Sequence, residues 1–415
     1  MKVLVVGGGG REHAVIEKLS QSEKIDKLYA APGNGGIAAK AECVDIKATD
    51  VEGICSFAKN NGMDFVVVTP DDPLCLGMVD RLEKEGIKAF GPEKKAAVIE
   101  GSKIFAKELM KKYGIPTAPF EIFDDPDKAC EYIDEHGAPI VIKADGLALG
   151  KGVTVAKTTE EAKAAVFAIM KDKIFGESGN RIVIEDCLCG PEVSVLAFTD
   201  GKTIKPMVSS QDHKRAYDND EGPNTGGMGT FAPSPLYTGT IAEECVKKIF
   251  VPTVRAMNSE DRKFKGVLYF GLMLTEKGVM VIEYNARFGD PETQVVLPLL
   301  KTDLFDIMTA VTDERLDEID IEWEEKAAAC VVMASGGYPK KYETGYEIFG
   351  LDKVLGTVYH AGTKEKDGKF FTSGGRVLGV TAVGETLAEA VKAAYSDVGK
   401  ISFKNAFFRQ DIGKK

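Results

Sequence analysis

The stretch Val281-Ile282-Glu283-Tyr284-Asn285-Ala286-Arg287-Phe288-Gly289-Asp290-Pro291-Glu292 combines strand periodicity with metal- and anion-binding residues. Side chains of an extended strand alternate between its faces, so Glu283, Asn285 and Arg287 are predicted to share one face. A carboxylate beside an amide oxygen suits a hard cation such as Mg²⁺, and the arginine can clamp a carboxylate or phosphoryl oxygen. The pattern indicates nucleotide-dependent chemistry. The alternative is an edge strand with a solvated polar face.

Composition and charge restrict the class of protein. The chain has 415 residues, of which 44% are hydrophobic and 28% charged, as expected for a soluble globular protein of roughly two to four domains. A net charge of −11 disfavours nucleic-acid binding, because most of the surface would repel a phosphate backbone. No apolar run approaches a membrane span, and the first residues read as a strand rather than a signal peptide.

The eight cysteines are scattered, and only Cys187 and Cys189 are close in sequence. A second pair at zinc-binding spacing is missing, so no metal role is expected for them. In a chain of this size we interpret them as reduced thiols and predict a cytoplasmic protein.

Strand and helix patterns alternate over residues 1–102, which predicts a doubly wound parallel sheet with crossover helices. The first strand, at 2–6, runs through a glycine turn into a helix, an arrangement that binds anions. A dinucleotide fold is disfavoured, because Glu12 replaces a small residue and the second strand leads to Asn34 instead of an acid. A phosphate-bearing substrate is therefore preferred over a nicotinamide cofactor, and a plain tight turn is the alternative.

The remaining patterns predict a multidomain fold of mixed α/β and α+β class. A lysine-rich helix over 102–112 precedes strands at 139–143, 153–156 and 181–185. We expect a long polar loop over 209–235, a helix over 240–258, strands over 265–284 and a solvated acidic linker over 313–325. The expected domains are 1–102, 103–325 with a mobile lid at about 120–190, and a β-rich module over 326–415.

Lys143 lies at the end of an apolar strand and precedes a glycine-rich segment that runs to Gly152. Backbone N–H groups of such a hairpin can close over phosphates while lysines supply charge. The order of a P-loop is absent, since Val153 follows Gly152. A turn with a solvated lysine is the alternative, although burial of Lys143 without an anion would be costly. His213 has no recognisable nucleophilic partner and is interpreted as structural.

Taken in order, the phosphate lysine, the glycine loop, the acidic turn after strand 181–185 and the Glu-x-Asn-x-Arg strand resemble the ATP-grasp fold. The match extends to the phosphoribosylamine–glycine ligases over nearly the whole chain. It is carried by Gly9-Gly10-Arg11-Glu12-His13-Ala14, Pro32-Gly33-Asn34, Lys143-Ala144-Asp145-Gly146, Gln211-Asp212-His213-Lys214-Arg215, Gly226-Gly227-Met228-Gly229, Asp290-Pro291-Glu292-Thr293-Gln294 and Gly374-Gly375-Arg376.

The resemblance implies an N-terminal doubly wound domain, an ATP-grasp core and a small β-rich C-terminal domain. It also implies an ATP-dependent ligation of glycine to 5-phosphoribosylamine through glycyl phosphate, the second step of purine biosynthesis. The products would be glycinamide ribonucleotide, ADP and phosphate. The expected partners are these small molecules with Mg²⁺ or Mn²⁺, without nucleic acid or membrane, and the chain is expected to act as a monomer or weak homodimer.

The resemblance also implies a role for each candidate site residue. Arg287 and Lys143 are the expected catalytic residues, and Glu283 and Asn285 the expected metal ligands. ATP is expected to contact Lys103, Lys143, Gly150, Lys151, Gly152, Glu185, Asp186, Leu188 and Glu192. The other substrates are expected to contact Asp212, Arg287, Gly9, Gly10 and Asn34.

Three positions depart from the family's pattern. Strand 266–274 lacks the acid that binds a second metal in many ATP-grasp enzymes, Asp71 replaces a usual glutamate, and Gly8 replaces a serine or asparagine. Two other functions remain as alternatives: an ATP-grasp ligase that uses bicarbonate or formate, and a nucleotide-sensing protein without turnover.

Overall fold

The computed structural model describes residues 1–147 and 152–414. Its N-terminal part is a sheet of five parallel strands in the order β3-β2-β1-β4-β5, with helices between them. The elements are β1 (Lys2–Gly7), α1 (Gly10–Leu19), β2 (Lys27–Pro32), β3 (Glu42–Cys43), α2 (Val51–Asn60), β4 (Phe65–Val68), α3 (Asp71–Leu76), α4 (Met78–Lys84), β5 (Lys88–Phe90) and α5 (Lys94–Gly101).

Strand β1 shows why this part folds as predicted. Leu4 and Val6 pack into one hydrophobic core, and Val3 packs into another on the opposite face of the sheet. All three are fully buried. Parallel strands that helices cover on both sides are apolar throughout, which is the run the sequence shows. The predicted doubly wound sheet is confirmed.

The middle of the chain contains two antiparallel sheets of four strands, ordered β6-β9-β7-β8 and β11-β10-β16-β17. The first sheet packs against α7 and α8 around its own core. The elements are α6 (Lys103–Tyr113), β6 (Phe120–Phe123), α7 (Pro126–His136), β7 (Ile140–Ala144), β8 (Val153–Ala156), α8 (Thr159–Met170), β9 (Ile182–Asp186), β10 (Glu192–Thr199), β11 (Ile204–Pro206), α9 (Gly239–Cys245), α10 (Val251–Ser259), β16 (Gly266–Thr275) and β17 (Gly278–Asn285). A π-helical turn, Val246–Phe250, joins α9 to α10.

The segment predicted as a long polar loop over 209–235 instead contains four short strands. They are β12 (Gln211–Asp212), β13 (Arg215–Tyr217), β14 (Glu221–Asn224) and β15 (Gly229–Ala232). Strands β13 and β14 form a separate hairpin, whereas β15 pairs with β12 and with the C-terminal strand β18. The prediction was wrong because two to four residues are too few to display an alternating pattern.

The C-terminal part completes a five-stranded antiparallel sheet in the order β12-β15-β18-β22-β19, covered by α13. Its elements are α11 (Thr293–Val296), α12 (Leu304–Thr312), β18 (Ala327–Ala334), β19 (Thr357–His360), β20 (Thr363–Lys366), β21 (Lys369–Thr372), β22 (Arg376–Gly384) and α13 (Leu387–Val398). Within the described ranges, no helix is both long and apolar enough to cross a bilayer.

The acidic stretch over 313–325 is attached to the rest of the protein at several points, but most of its acidic side chains are exposed, as its composition suggested. Leu316 is fully buried. Asp313 Oδ1 lies 2.7 Å from Lys88 Nζ, and Glu314 Oε2 lies 3.0 Å from Lys263 Nζ. These two acids face lysines of other elements, a placement that composition alone does not reveal.

Asn34 and two histidines connect the N-terminal sheet to the C-terminal part. Asn34 Nδ2 donates to the carbonyl oxygens of Gly8 (2.9 Å) and His360 (2.8 Å), while its Oδ1 accepts two backbone N–H groups of the next turn. The backbone N–H of His360 donates to His13 Nδ1 at 2.8 Å. Both histidines are buried. Burial lowers the pKa of His13 to about 3 and that of His360 to about 4, and for His13 the neighbouring His360 adds to the effect.

This contact predicts a loss of stability in acid. An unfolded histidine binds a proton below its usual pKa of 6.5, whereas His13 and His360 resist protonation in the folded protein. The contribution of the two histidines to the free energy of unfolding should therefore be fully present above pH 6.5. It should decline as the pH falls towards 4, by about 1.4 kcal/mol per pH unit for each histidine. Urea unfolding of wild type and His13→Gln across this range tests the effect. The variant should show the shallower dependence, and equal slopes would contradict the assignment.

Candidate functional site

A cavity of about 1020 Å³ is lined by both middle sheets and by residues of the N- and C-terminal parts. It brings together most of the predicted site residues: Lys103, Lys143, Gly152, Glu185, Asp186, Leu188, Glu192, Asp212, Glu283, Asn285 and Arg287. Gly9, Gly10 and Asn34 are not among its lining residues within the described part of the chain. Gly150 and Lys151 lie outside the described residues.

Lys143 is buried on β7, and its counter-ion belongs to the protein itself. Lys143 Nζ lies 2.9 Å from Glu185 Oε1 without the alignment of a hydrogen bond, and it donates to the carbonyl oxygen of Ile282 at 2.9 Å. Lys107 Nζ lies 3.5 Å from the other carboxylate oxygen of Glu185. Burial lowers the pKa of Lys107 to about 8. The expected cost of burying Lys143 is thus offset by a carboxylate between two lysines.

Glu283 and Asn285 at the end of β17 present the donor set predicted for a hard cation. Lys214 Nζ lies 3.2 Å from Glu283 Oε1, and Lys214 is the main cause that lowers the pKa of Glu283 to about 2. Asn285 Nδ2 donates to the carbonyl oxygen of Tyr284 at 2.8 Å, which leaves Oδ1 as the acceptor. An ionised carboxylate beside an amide oxygen fits Mg²⁺ or Mn²⁺.

The side chains of β17 and the residues that follow it alternate between two faces only in part, although the sequence predicted a strict alternation. Glu283, Asn285 and Arg287 all line the cavity, but Ile282 and Tyr284 also contribute to its wall. The pairing of β16 with β17 shifts register between Gly271 and Leu272, at the point opposite Ile282. A bulge re-aims side chains in this way.

Arg287 is oriented from the N-terminal part of the chain. Its Nη2 lies 2.9 Å from Glu100 Oε1, and its Nη1 donates to the carbonyl oxygen of Phe288 at 3.1 Å. Its Nε is buried without a hydrogen-bond partner among the described residues. Burial opposes the charge of Arg287, but Glu100 and then Asp71 outweigh it and raise the pKa of the guanidinium. Arg287 therefore remains a cation in the cavity wall.

Asp212 faces a second acid, Glu292. The Asp212 Oδ1 accepts the backbone N–H of His213 at 2.7 Å, and Glu292 Oε1 accepts the hydroxyl of Ser194 at 3.3 Å. Burial, followed by the charge of Glu292, raises the pKa of Asp212 well above its usual value. A carboxylate in this position suits an ammonium group, whose charge would offset both effects.

One end of the cavity is formed by the chain that follows β9. Its wall contains the apolar side chains of Val141, Leu188 and Met273. The backbone N–H of Asp186 donates to the carbonyl oxygen of Pro119 at 3.0 Å, and its side chain lies 2.9 Å from His136 Nε2. An apolar slot beside a polar chain segment is typical of a ligand site that holds a flat ring.

The glycine turn after β1 is already engaged by the protein. The N–H of Gly9 donates to Glu12 Oε2 at 2.6 Å, so Glu12 caps α1. A Cβ on Gly10 would lie 2.7 Å from Gln294 Nε2. With Asn34 held by four backbone groups, substrate contacts of Gly9, Gly10 and Asn34 stay predictions.

Several charged residues line the cavity although no sequence pattern predicted a role for them. They are Arg11, Asp71, Glu100, Lys107, Lys214, Arg215, Asp290, Glu292 and Arg376. Several belong to the quoted motifs, but only their convergence from separate elements shows that they share a site. Arg376 is the clearest case: it comes from β22, and its Nη2 lies 2.9 Å from Asp290 Oδ2.

Two antiparallel sheets around a cavity rich in charged residues of both signs, with a carboxylate–amide pair at the end of β17, define an ATP-grasp protein. Models of phosphoribosylglycinamide synthetase match the chain in three parts, the N domain at residues 1–100, the ATP-grasp (A) domain at 101–293 and the C domain at 328–415. The chain belongs to the phosphoribosylamine–glycine ligase family, which confirms the resemblance and the fold class.

Individual relatives agree with this assignment. The phosphoribosylamine–glycine ligase of Caldanaerobacter subterraneus subsp. tengcongensis is 51% identical over 413 residues, 99% of each chain. The crystal structure of the Thermotoga maritima phosphoribosylamine–glycine ligase has a TM-score of 0.88 and 33% identity, covering 99% of this chain and 100% of that one. The biotin carboxylase domain of Hydrogenobacter thermophilus 2-oxoglutarate carboxylase, solved with MgADP and bicarbonate, shares the fold at 17% identity and a TM-score of 0.72, covering 98% and 91% of the two chains.

Gly227 shows how tightly the wall beside Asp212 is built. Its φ is +110°, and a Cβ there would lie 2.4 Å from Pro291 Cδ and 2.7 Å from Asp212 Oδ1. We predict that Gly227→Ala lowers the free energy of unfolding by about 1–3 kcal/mol, since both the backbone and the contact are strained. Gly239→Ala is the matched control, because nothing lies within 4 Å of its added Cβ. Chemical denaturation of the two variants tests this, and equal stabilities would contradict it.

Proposed function

We propose that this protein joins glycine to 5-phosphoribosylamine, with ATP converted to ADP and phosphate and glycinamide ribonucleotide as the product. This is the second step of purine biosynthesis. Full-length similarity to phosphoribosylamine–glycine ligases carries the proposal. The cavity supports it, because it combines residues suited to a nucleotide, a divalent cation and an amino acid.

The proposed nucleotide site uses the basic end of the cavity. Lys103 and Lys143 bind the ATP phosphates, together with Gly152 and with Gly150 and Lys151. The chain after β9 binds adenine through Glu185, Asp186 and Leu188, and Glu192 binds the ribose. Phosphoryl transfer between anions requires charge neutralisation and alignment more than a covalent catalyst. The burial of Lys143 supports this role, since a buried cation keeps its full effect on a phosphate.

Glu283 and Asn285 are the proposed ligands of Mg²⁺ or Mn²⁺. When bound, the cation would neutralise charge on the ATP phosphates. The placement of both side chains in the cavity wall supports the assignment, because a carboxylate and an amide oxygen are ligands that these cations prefer. Lys214, whose Nζ lies 3.2 Å from Glu283 and 3.6 Å from Glu192, lies beside this proposed cation site.

Arg287 and Asp212 are the proposed glycine site, with Arg287 on the carboxylate and Asp212 on the ammonium. The glycine carboxylate oxygen attacks the γ-phosphorus of ATP, ADP leaves, and glycyl phosphate forms. The amine nitrogen of phosphoribosylamine then attacks the acyl carbon. The new C–N bond forms as the C–O bond to phosphate breaks, and phosphate leaves. Arg287 stabilises the negative charge that develops in both steps.

We also propose the organisation of the chain. Residues 1–102, 103–325 and 326–415 form three domains, and about 120–190 act as a mobile lid, which the separate core of the β6-β9-β7-β8 sheet supports. A cytoplasmic location is supported by the eight free cysteines. The protein acts as a monomer or weak homodimer on small-molecule substrates.

A coupled assay for ADP release tests the function. Release should require both glycine and freshly prepared phosphoribosylamine, and mass spectrometry should identify glycinamide ribonucleotide. ADP release that depends on bicarbonate or formate and ignores glycine would assign the protein to another ATP-grasp reaction. Tight ATP binding without any turnover would favour a nucleotide sensor.

We predict that Glu283→Gln and Arg287→Ala each reduce turnover by at least about tenfold, the effect of losing a charge contact in the transition state. Glu276→Gln and Arg255→Ala are matched controls, since both residues are exposed and neither lines the cavity within the described chain. Steady-state rates at saturating substrates provide the measurement. Near-normal rates for both site variants would overturn the assignment.

A further inference from the structure

We propose that Arg215 binds the phosphate group of the amine co-substrate, and that Arg409 holds the hairpin that presents Arg215. The proposal rests on the proposed function and adds a site for the phosphate of phosphoribosylamine.

Arg215 differs from the other arginines of the cavity in its charge balance. Of the described residues, four arginines line the cavity, and three of them pair with a carboxylate. The pairs are Arg11 with Glu12 (2.6 Å), Arg287 with Glu100 (2.9 Å) and Arg376 with Asp290 (2.9 Å). Among the described residues, Arg215 pairs with no carboxylate. Its Nη1 donates to the carbonyl oxygen of Gly222 at 2.8 Å. Arg215 is half-buried and its contact with Gly222 is exposed, so its guanidinium remains available to a bound anion.

The chemistry of the substrates selects the anion. Arginine presents a planar fork of donors that matches phosphate oxygens. The ATP phosphates are already provided with Lys103 and Lys143, and glycine has no phosphate. The phosphate of phosphoribosylamine is the remaining group that needs a cation. Arg215 follows Asp212 by three positions, and Thr225 and Gly226 beyond β14 line the same cavity. The hairpin therefore lies beside the proposed glycine site, where the amine must arrive.

Arg409 anchors this hairpin from the C-terminal segment. Its side chain is fully buried. Its guanidinium pairs with Asp411 at 2.7 Å and with Asp220 at 2.9 Å, and it donates to the carbonyl oxygen of Arg215 at 3.1 Å. A buried arginine with these partners fixes both ends of the β13–β14 connection.

The turn between β13 and β14 is tied to the segment around Arg409 by backbone contacts as well. Asn219 and Asp220 lie in the left-handed region, with φ of 60° and 55°, which asparagine and aspartate adopt more readily than most other residues. The backbone N–H of Asn219 donates to Asp411 at 2.9 Å, and that of Gln410 donates to Asp218 at 2.7 Å. The turn should loosen when these contacts are removed, and Arg215 should lose its position.

The first test is Arg215→Ala, with Arg255→Ala as the matched control. The KM for phosphoribosylamine should rise by at least about tenfold, while the KM values for ATP and glycine stay within about twofold. Arg215→Lys, which keeps the charge without the fork, should fall between the two. An unchanged KM for phosphoribosylamine, or a rise confined to ATP, would overturn the proposal. Failure of the proposed function itself would be distinct, since the wild-type protein would then form no glycinamide ribonucleotide.

The second test addresses the anchor. Arg409→Met and the milder Asp411→Asn should both raise the KM for phosphoribosylamine and speed amide hydrogen exchange over residues 215–224, with kcat at saturation less affected. Asp411→Asn decides the question if Arg409→Met fails to fold. A folded variant with faster exchange but a wild-type KM would refute the positioning role, as would wild-type exchange.

Discussion

The internal pairing of charges around the cavity is the constraint on which the rest of the structure depends. Glu185 lies between Lys143 and Lys107, and Glu283 faces Lys214. An isolated charge at these positions would be expensive to bury, whereas a paired one holds a fixed geometry. The cavity is therefore organised before any ligand enters it. Under our proposal the ligands replace or extend these pairs, so that little reorganisation accompanies the reaction.

Two further ion pairs of the cavity join parts of the chain that are distant in sequence. Glu100 of α5 orients Arg287 after β17, and Arg376 of β22 reaches Asp290. Residues of the N- and C-terminal parts therefore hold charged side chains of the cavity wall in place through short ionic contacts. The C-terminal part likewise positions Asp212, because its strand β12 belongs to the same sheet as β15 and β18. The contacts that join the parts of the fold are therefore also the contacts that position the side chains of the cavity.

Local pattern was sufficient for part of this structure. The apolar run of β1 predicted the parallel sheet, and Lys143 and the Glu-x-Asn-x-Arg strand predicted residues that line the cavity, because each is a feature of consecutive residues. Lys214, Arg215 and Arg376 could not be assigned in this way, since their roles depend on partners far along the chain. The strands within 209–235 were missed because each is very short and its pairing is long-range. An anion was expected at the glycine turn after β1. In the folded protein the N–H of Gly9 already donates to the carboxylate of Glu12, which caps α1.

A crystal structure with a non-hydrolysable ATP analogue, Mg²⁺ and glycine would show where each of these ligands binds. We expect the cation on Glu283 and Asn285, the triphosphate against Lys103 and Lys143, and the glycine carboxylate on Arg287. Nucleotide or glycine bound away from these side chains, with the Glu283–Lys214 pair intact, would contradict this expectation.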